Sequence, residues 1–328
     1  MFETALPPPF DGLNTASWRP SVLSDLSKTR AIIVHGGAGS GKFTAEDPRF
    51  AELGNAVAAG LAAMKKGSSL DGAVEAVRYM EESGKFNAGR GACLTMNGEV
   101  QLDAAVAHGS RCRGAGVGVS TCSYHPVLLA RYVMEATDHA LIAGRDCEKI
   151  AKAAGIPIER LAASDAAASR YLEMKRHVNE THPKHARFAS FQDEGDTVGA
   201  VALDSDSVPS AAVSTGGMWL KLPGRIGDSA ILGAGVYADS AAGAACATGS
   251  GEEILRSAMS WNACAFLKRL DADSAARRAV GLVTRRSGRN TAGIITVDLK
   301  GRVGYSYNTE AMGRAWFDRE KDRVVVRI

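Results

Sequence analysis

Thr197 stands where a threonine could act as a nucleophile, at the first position of an apolar strand pattern that follows a polar stretch. A threonine hydroxyl is a poor nucleophile unless a base lies beside it. Chain cleavage before Thr197 would free an α-amino group that can serve as this base. Such an amino group titrates at about 7.7–8.0, so part of it is neutral near pH 7. The ordinary alternative is a β-branched residue that opens a strand, and Thr197 alone favours that alternative.

Arg225 and Asp228 could together recognise the head group of a free amino acid. They lie on one short loop that also contains Pro223, Gly224 and Gly227. A guanidinium can bind the α-carboxylate through two hydrogen bonds, and a carboxylate can accept the α-ammonium group. The alternative is a local surface salt bridge between the two side chains, which would contribute only ~0–1 kcal/mol.

Thr248 and Gly249 precede a helical pattern and offer a hydroxyl and backbone N–H groups. Donors of this kind suit the negative oxygen that develops during attack on a carbonyl. The alternative is a simple N-terminal cap, with Glu252 or Glu253 in the first helical turn.

Composition limits the class of protein. The 328 residues are 45% hydrophobic, enough for one large domain or two smaller ones. A net charge of +3 argues against a nucleic-acid partner, and no apolar run approaches the ~20 residues of a membrane span. The first 30 residues lack the basic start and apolar core of a signal peptide. The six cysteines show no C-x-x-C or zinc spacing, so we expect free thiols and a cytoplasmic location.

The apolar periodicity predicts strands and helices in both halves of the chain. Strands are expected at 31–35, 114–121, 197–204 and 209–214, and hairpins at 92–106 and 292–307. Helices are expected at 50–66, 69–82, 125–136, 147–154, 252–270 and 274–285. This mixed order favours an α/β protein built as a four-layer αββα sandwich over a regular βαβ fold. Residues 161–196 are polar and could form a domain linker or a processed loop.

Seven motifs, in order along the chain, together resemble the plant-type asparaginase/isoaspartyl aminopeptidase family of N-terminal-nucleophile (Ntn) hydrolases, which also includes glycosylasparaginases and threonine aspartases. The motifs are His35-Gly36-Gly37-Ala38-Gly39, Phe86-Asn87-Ala88-Gly89-Arg90-Gly91, Leu102-Asp103-Ala104, Asp196-Thr197-Val198-Gly199-Ala200-Val201, Ser214-Thr215-Gly216-Gly217, Pro223-Gly224-Arg225-Ile226-Gly227-Asp228 and Asn308-Thr309-Glu310-Ala311-Met312.

The resemblance implies one Ntn-hydrolase domain over residues 1–328 that cleaves itself between Asp196 and Thr197. Residues 1–196 would become an α subunit and residues 197–328 a β subunit. The polar stretch 161–196 would then be the mobile tail of the α subunit. A dimer of αβ units is also implied.

The resemblance also implies a role for each matching residue in hydrolysis of β-aspartyl dipeptides and L-asparagine, with no cofactor in catalysis. Thr197 would be the nucleophile and, through its amine, the base. The other roles are hydrogen bonding to Thr197 by Thr215, binding of the α-carboxylate by Arg225 and of the α-amino group by Asp228, an oxyanion hole at Thr248 and Gly249, substrate binding at Gly251, and support of the site by Asn87. A structural sodium ion at loop 80–86 is implied more weakly, because Gly84 departs from the family pattern.

Several departures from the family pattern leave the leaving group open. Gly195-Asp196 precedes the nucleophile where many members have Asp-Gly or His-Gly, and the run 233–248 resembles glycosylasparaginases. A glycosylasparaginase-type amidase is therefore an alternative. Trp219 could line the leaving-group side or be a core aromatic residue. Asp228 argues for substrates with a free α-amino group.

Two rival interpretations come from other classes. Gly36 to Lys42 fits the phosphate-binding pattern G-x-x-x-x-G-K, but Phe43 stands where a magnesium-binding Ser or Thr belongs. The second rival is a catalytically silent relative that stays uncleaved and acts as a binding protein.

Overall fold

The computed structural model describes residues 17–18, 29–39, 47–181 and 197–327. The described residues form strands β1 (Ser17–Trp18), β2 (Thr29–Gly39), β3 (Leu102–His108), β4 (Arg113–Ser120), β5 (Leu141–Ala143), β6 (Val198–Asp204), β7 (Pro209–Thr215), β8 (Val236–Asp239), β9 (Gly243–Gly249), β10 (Ala292–Asp298), β11 (Val303–Tyr307), β12 (Ala311–Asp318) and β13 (Arg323–Arg327). The helices are α1 (Pro48–Lys66), α2 (Ser69–Ser83), α3 (Pro126–Ala136), α4 (Cys147–Ala154), α5 (Asp165–Thr181), α6 (Gly251–Ser257), α7 (Met259–Leu267) and α8 (Ala272–Ser287).

The strands form two sheets. The larger has the order β1-β13-β12-β2-β6-β7-β3-β4-β5, and the smaller has the order β11-β10-β9-β8. All neighbours in both sheets are antiparallel except β4 and β5. The protein is therefore a mixed α/β structure.

The apolar run at residues 31–34 of strand β2 is buried on both faces of the sheet. Ile32 and Val34 belong to the hydrophobic cluster that contains buried residues of α1, α2 and α3. Ile33, on the opposite face of the strand, belongs to a second cluster shared with the smaller sheet, including Cys246 and Ile295. Successive strand side chains point to opposite faces, and here both faces are buried. Residues of α7 and α8 cover the other face of the smaller sheet.

Two element predictions were wrong in detail. Residues 92–95 form no strand, although the turn at Asn97-Gly98 is present and the N–H of Thr95 donates to the carbonyl of Glu99 over 3.0 Å. The helix expected at 252–270 is two helices, because Ala258 adopts a left-handed conformation with φ of 44°. Strands β1, β5, β8, β9, β12 and β13 were not predicted.

The phosphate-binding interpretation of Gly36 to Lys42 does not match the structure where it is described. Strand β2 continues to Gly39, with Ala38 opposite Met312 and Gly39 opposite Ala311 of β12. Residues paired within a sheet do not form the phosphate-cradling loop that the motif requires. Residues 40–46 lie outside the described part of the chain.

Half of the polar stretch 161–196 is an ordered helix, so the expectation of a mobile tail was wrong for residues 165–181. Helix α5 places Tyr171 and Met174 in a hydrophobic cluster with Trp219 and Leu220. The Tyr171 hydroxyl donates to the carbonyl of Met96 over 3.0 Å. These buried side chains hold the otherwise polar helix α5 against the rest of the protein. The rest of the expected tail, residues 182–196, lies outside the described chain.

None of the described helices is both long and apolar enough to cross a membrane. All six cysteines lie in the described part of the chain and are free thiols, as the sequence predicted.

We expect Met174→Ala to lower the Tm of the protein by several degrees, because removing a buried methionine side chain costs roughly 2–5 kcal/mol. Leu172→Ala is the matched control, since Leu172 lies on the same helix with 58% of its surface exposed. Thermal unfolding followed by circular dichroism measures both. Equal Tm values for the two variants would show that α5 is not anchored by its buried face.

Candidate active site

Thr197 immediately precedes β6, and its side chain is buried beside the end of β7. Thr197 is 6% exposed, and its hydroxyl donates to the hydroxyl oxygen of Thr215 over 3.1 Å. The antiparallel register explains this contact, because Val198 lies opposite Ser214 and the next residue outward on each strand is a threonine. The sequence-predicted pairing of Thr197 with Thr215 is therefore what the structure contains.

The turn after β7 is held by Asn87. The Asn87 side-chain amide donates to the carbonyl of Gly217 over 2.6 Å and accepts from the N–H of Cys93 over 2.8 Å. The N–H of Gly217 in turn donates to the Thr215 hydroxyl over 2.9 Å. Asn87 therefore holds the backbone beside Thr215 and does not line the adjacent pocket.

A pocket with about 490 Å³ of empty space, partly open to solvent, brings together six of the sequence-predicted residues. They are Thr197, Thr215, Arg225, Asp228, Gly249 and Gly251. The pocket is also lined by four residues that had not been predicted as site residues: Gly217, Met218, Ser250 and Glu252. Gly217 could have been found from its place in the motif that contains Thr215, whereas Glu252 had been considered only as a residue of a helix cap.

Arg225 does not form an ion pair with Asp228, which removes the local salt bridge considered from the sequence. Its Nε donates to Oε1 of Glu252 over 2.9 Å, and its Nη2 donates to Oε2 over 2.8 Å. Burial opposes the charge on Arg225, but the hydrogen bonds to Glu252 and its negative charge outweigh burial and raise the pKa of Arg225. The cation is therefore held in the pocket by Glu252.

Asp228 is a buried carboxyl group without a direct counter-ion. Asp228 is 5% exposed, and its Oδ2 has no hydrogen-bond partner among the described residues. Burial raises the pKa of Asp228 to about 7, against an opposing effect of Arg225 and with a further rise from Glu252 and Asp103. A buried carboxyl oxygen without a partner at the wall of a pocket is suited to accept a cationic ligand group.

Thr248 and Gly249 end strand β9, one residue before the cap of α6, so they are placed by a sheet and not by the helix. Gly249 lines the pocket. Thr248 lies behind it, fully buried, and its hydroxyl has no partner among the described residues. Of the two residues expected to form an oxyanion hole, Gly249 lines the pocket and Thr248 does not.

Gly251 has a steric reason to be glycine. A Cβ at this position would lie 2.8 Å from Nη2 of Arg225 and 2.9 Å from Oδ1 of Asp228. The missing side chain lets both charged groups approach the same point of the pocket wall. This explains why a glycine belongs to the expected binding residues.

His35 and Cys246 lie beneath the site and were not predicted as part of it. The two side chains are 3.3 Å apart, and His35 also lies against the backbone of Thr197. Burial lowers the pKa of His35 to about 3, so the ring is neutral and is a very weak base near neutral pH. His35 is therefore unsuited to activate Thr197 as a general base.

Of the two interpretations of Trp219, the core aromatic residue is confirmed. Trp219 is 8% exposed and packs in the cluster formed with Tyr171 and Met174 of α5. Its neighbour Met218 lines the pocket instead.

Comparisons with known proteins agree with the geometry. Residues 28–326 match the model of the family described as Asparaginase. The chain is 43% identical over 290 residues to a protein of Pyrobaculum calidifontis named plant-type L-asparaginase. The aligned region covers 87% of this chain and 96% of that protein. It is 39% identical over 299 residues to the isoaspartyl peptidase of Escherichia coli, covering 87% and 92% of the two chains. It is 38% identical over 244 residues to the isoaspartyl peptidase/L-asparaginase of Mus musculus, covering 72% of each.

The fold and the pocket are those of a mixed α/β protein with a threonine, a guanidinium and a carboxyl group gathered in one cleft. The chain belongs to the asparaginase family whose model it matches over nearly its whole length.

We expect Asp228→Asn to stabilise the protein more at pH 8 than at pH 5. The pKa of Asp228 is raised from 3.8 to about 7 in the folded protein. The stability linked to its proton is complete below pH 3.8 and is lost as the pH rises through 7, a difference of roughly 2–3 kcal/mol between pH 5 and pH 8. Asparagine does not titrate and avoids this loss.

The measurement is Tm at both pH values for the two proteins, each also carrying Thr197→Ala so that chain cleavage cannot differ between them. All other titrating groups are shared and cancel in the comparison. A Tm difference that does not change between pH 5 and pH 8 would contradict the raised pKa.

Proposed function

We propose that this protein is a self-processing threonine amidohydrolase that hydrolyses β-aspartyl dipeptides and L-asparagine to release L-aspartate. The observation that carries the proposal is that Thr197, whose hydroxyl is hydrogen-bonded to Thr215, lines the same pocket as Arg225 and Asp228. A nucleophile beside a binding site for an amino-acid head group suits attack on a side-chain carbonyl. The relatives named as L-asparaginases and isoaspartyl peptidases support the same reaction.

The head group would be bound by charge complementarity. Arg225 would hold the α-carboxylate and Asp228 the α-ammonium group, leaving the β-carbonyl to face Thr197. An approaching ammonium group supplies the counter-charge that Asp228 lacks in the described structure, and it would lower the pKa of Asp228 towards the ionised state.

The reaction would proceed by acyl transfer. The Thr197 oxygen attacks the β-carbonyl carbon, and the hydroxyl proton passes to the α-amino group that cleavage has freed on the same residue. The hydroxyl of Thr248 and the N–H of Gly249 would stabilise the negative oxygen. The C–N bond then breaks, the leaving amine takes the proton, and water hydrolyses the ester to release aspartate and restore Thr197.

Self-cleavage between Asp196 and Thr197 is part of the proposal, because an uncleaved Thr197 has no free amine. Asp196 lies outside the described residues, and Thr197 is the first residue after that gap. Both products, residues 1–196 and 197–328, would remain in one folded domain, since β6 lies between β2 and β7 in the same sheet.

Further features complete the proposal. The clusters on both faces of both sheets support a four-layer αββα sandwich of the Ntn-hydrolase type. A structural sodium ion at loop 80–86 is proposed from the family resemblance alone. Catalysis would need no cofactor. A dimer of αβ heterodimers and a cytoplasmic location remain predictions from the sequence.

Hydrolysis should depend on both ends of the head group. We expect release of aspartate from L-asparagine and from a β-aspartyl dipeptide, and losses of roughly 10–100-fold in kcat/KM when either the α-amino or the α-carboxyl group is blocked, since each change removes one charge-assisted contact. N-acetylasparagine and asparagine amide are the blocked substrates. Their hydrolysis gives N-acetylaspartate and the α-amide of aspartic acid, so a coupled assay of released ammonia compares them with L-asparagine.

Thr197→Ala should abolish turnover of both substrates, whereas Thr197→Ser retains a hydroxyl and should retain part of it. Faster hydrolysis of a glycosylated asparagine than of either substrate would favour the glycosylasparaginase alternative. No aspartate from either substrate with cleaved wild-type protein would contradict the proposed function.

A further inference from the structure

The contact between Glu252 and Arg225 has a geometry that restricts how Arg225 can meet a ligand. Glu252 accepts from Nε and from Nη2, which together form the side edge of the planar guanidinium. Two parallel hydrogen bonds between a carboxylate and a guanidinium fix the plane of the cation as well as its position. Both residues line the pocket.

Two glycines confine the same guanidinium by close approach. A Cβ on Gly227 would lie 2.8 Å from Nη1 of Arg225, and a Cβ on Gly251 would lie 2.8 Å from Nη2. The backbone therefore packs closely against the cation at two points, while Glu252 holds its Nε–Nη2 edge. An arginine restrained in this way retains little of the side-chain freedom that binding would otherwise have to remove.

The remaining donors point to a single way of binding a carboxylate. Of the five N–H groups of a guanidinium, Glu252 takes one on Nε and one on Nη2. Nη1 has no hydrogen-bond partner within the described residues. The Nη1–Nη2 end of Arg225 is thus left as the second two-pronged donor edge, and it matches one carboxylate.

We propose that Glu252 is a positioning residue that holds Arg225 by its Nε–Nη2 edge and so presents the Nη1–Nη2 end to the α-carboxylate of the substrate. This proposal rests on the proposed function, because it assumes that Arg225 binds that carboxylate. It assigns to Glu252 control over substrate affinity and no part in the covalent steps.

The opposite role for Glu252 would be competition with the substrate. A carboxylate that occupied the substrate's own place on Arg225 would have to move away before binding, and the Glu252 side chain is 43% exposed. Competition requires that ligand and Glu252 use the same donors. The geometry favours positioning, because the Nη1–Nη2 end is left over when Glu252 is bound.

Glu252→Gln tests the proposal, since it keeps the shape and one acceptor oxygen but removes the charge and one hydrogen bond. We expect KM for L-asparagine and Kd for L-aspartate to rise about tenfold, the effect of losing one charge-assisted contact, with kcat changed by less than about threefold. Steady-state kinetics and titration calorimetry measure these quantities. Glu253→Gln is the matched control, because Glu253 is the next residue of α6 and pairs with Arg256 over 2.6 Å.

A pH profile separates positioning from a merely structural effect. Asp228 is faced by the charges of Arg225, Glu252 and Asp103 and by the Cys246 thiol. The negative charge of Glu252 raises the pKa of Asp228. Because ionised Asp228 is the form that binds an ammonium group, the Glu252→Gln variant should keep its affinity for L-aspartate down to a lower pH than wild type. Glu253→Gln should leave the wild-type profile unchanged.

Unchanged or lower KM and Kd in Glu252→Gln would overturn the proposal, and lower values would assign competition instead. A fall in kcat at unchanged KM would also overturn it. Failure of the proposed function is distinguishable, because wild type would then bind L-aspartate without hydrolysing either substrate, and the Kd comparison between wild type and Glu252→Gln would still decide the role of Glu252.

Discussion

The pairing of β6 with β7 is the constraint on which the rest of the site depends. It places Thr197 and Thr215 side by side at the ends of two central strands, with their hydroxyl oxygens 3.1 Å apart. A shift of this register by one residue would turn the side chains of β6 to the other face of the sheet. Both faces of β6 and β7 are buried, so the apolar clusters on either side fix the register that brings Thr197 beside Thr215.

The pocket combines this rigid support with charges that a core would not normally contain. Asp228 is buried with its pKa raised to about 7, while Arg225 is held charged by Glu252. Burying a carboxyl group without a counter-ion lowers stability, and such groups are concentrated where a ligand supplies the missing partner. Gly251 makes the arrangement possible, because any side chain there would collide with both charged groups.

Much of the site could be predicted from the sequence because its residues lie in short motifs, beside strand ends for Thr197 and Thr215 and on one loop for Arg225 and Asp228. Thr197, Thr215, Arg225 and Asp228 were each predicted and are brought to one pocket. Glu252 was missed because an acidic residue in a first helical turn has an ordinary explanation as a helix cap, and only the three-dimensional contact with Arg225 distinguishes it. His35 was predicted only as part of a strand and a family motif, and its place near Thr197 follows from the pairing of β2 with β6.

The fold was predicted less evenly. Strands with long apolar runs, such as β2 and β6, were located well, because burial on both faces leaves a clear pattern. Helix α5 was not, since its low apolar content resembles a loop and its two anchors, Tyr171 and Met174, pack against residues distant in sequence. The break at Ala258 was also invisible, because a left-handed residue other than glycine carries no reliable local signal.

The central claim is that Thr197 becomes an N-terminal nucleophile, and intact mass spectrometry of freshly purified protein tests it most directly. Wild type should give the masses of two fragments, one of which begins at Thr197. Thr197→Ala should give the single 34.3 kDa chain. Thr197→Ser, which retains a hydroxyl, should also yield two fragments. A single uncleaved mass for wild type and Thr197→Ala alike, stable over days, would contradict the account.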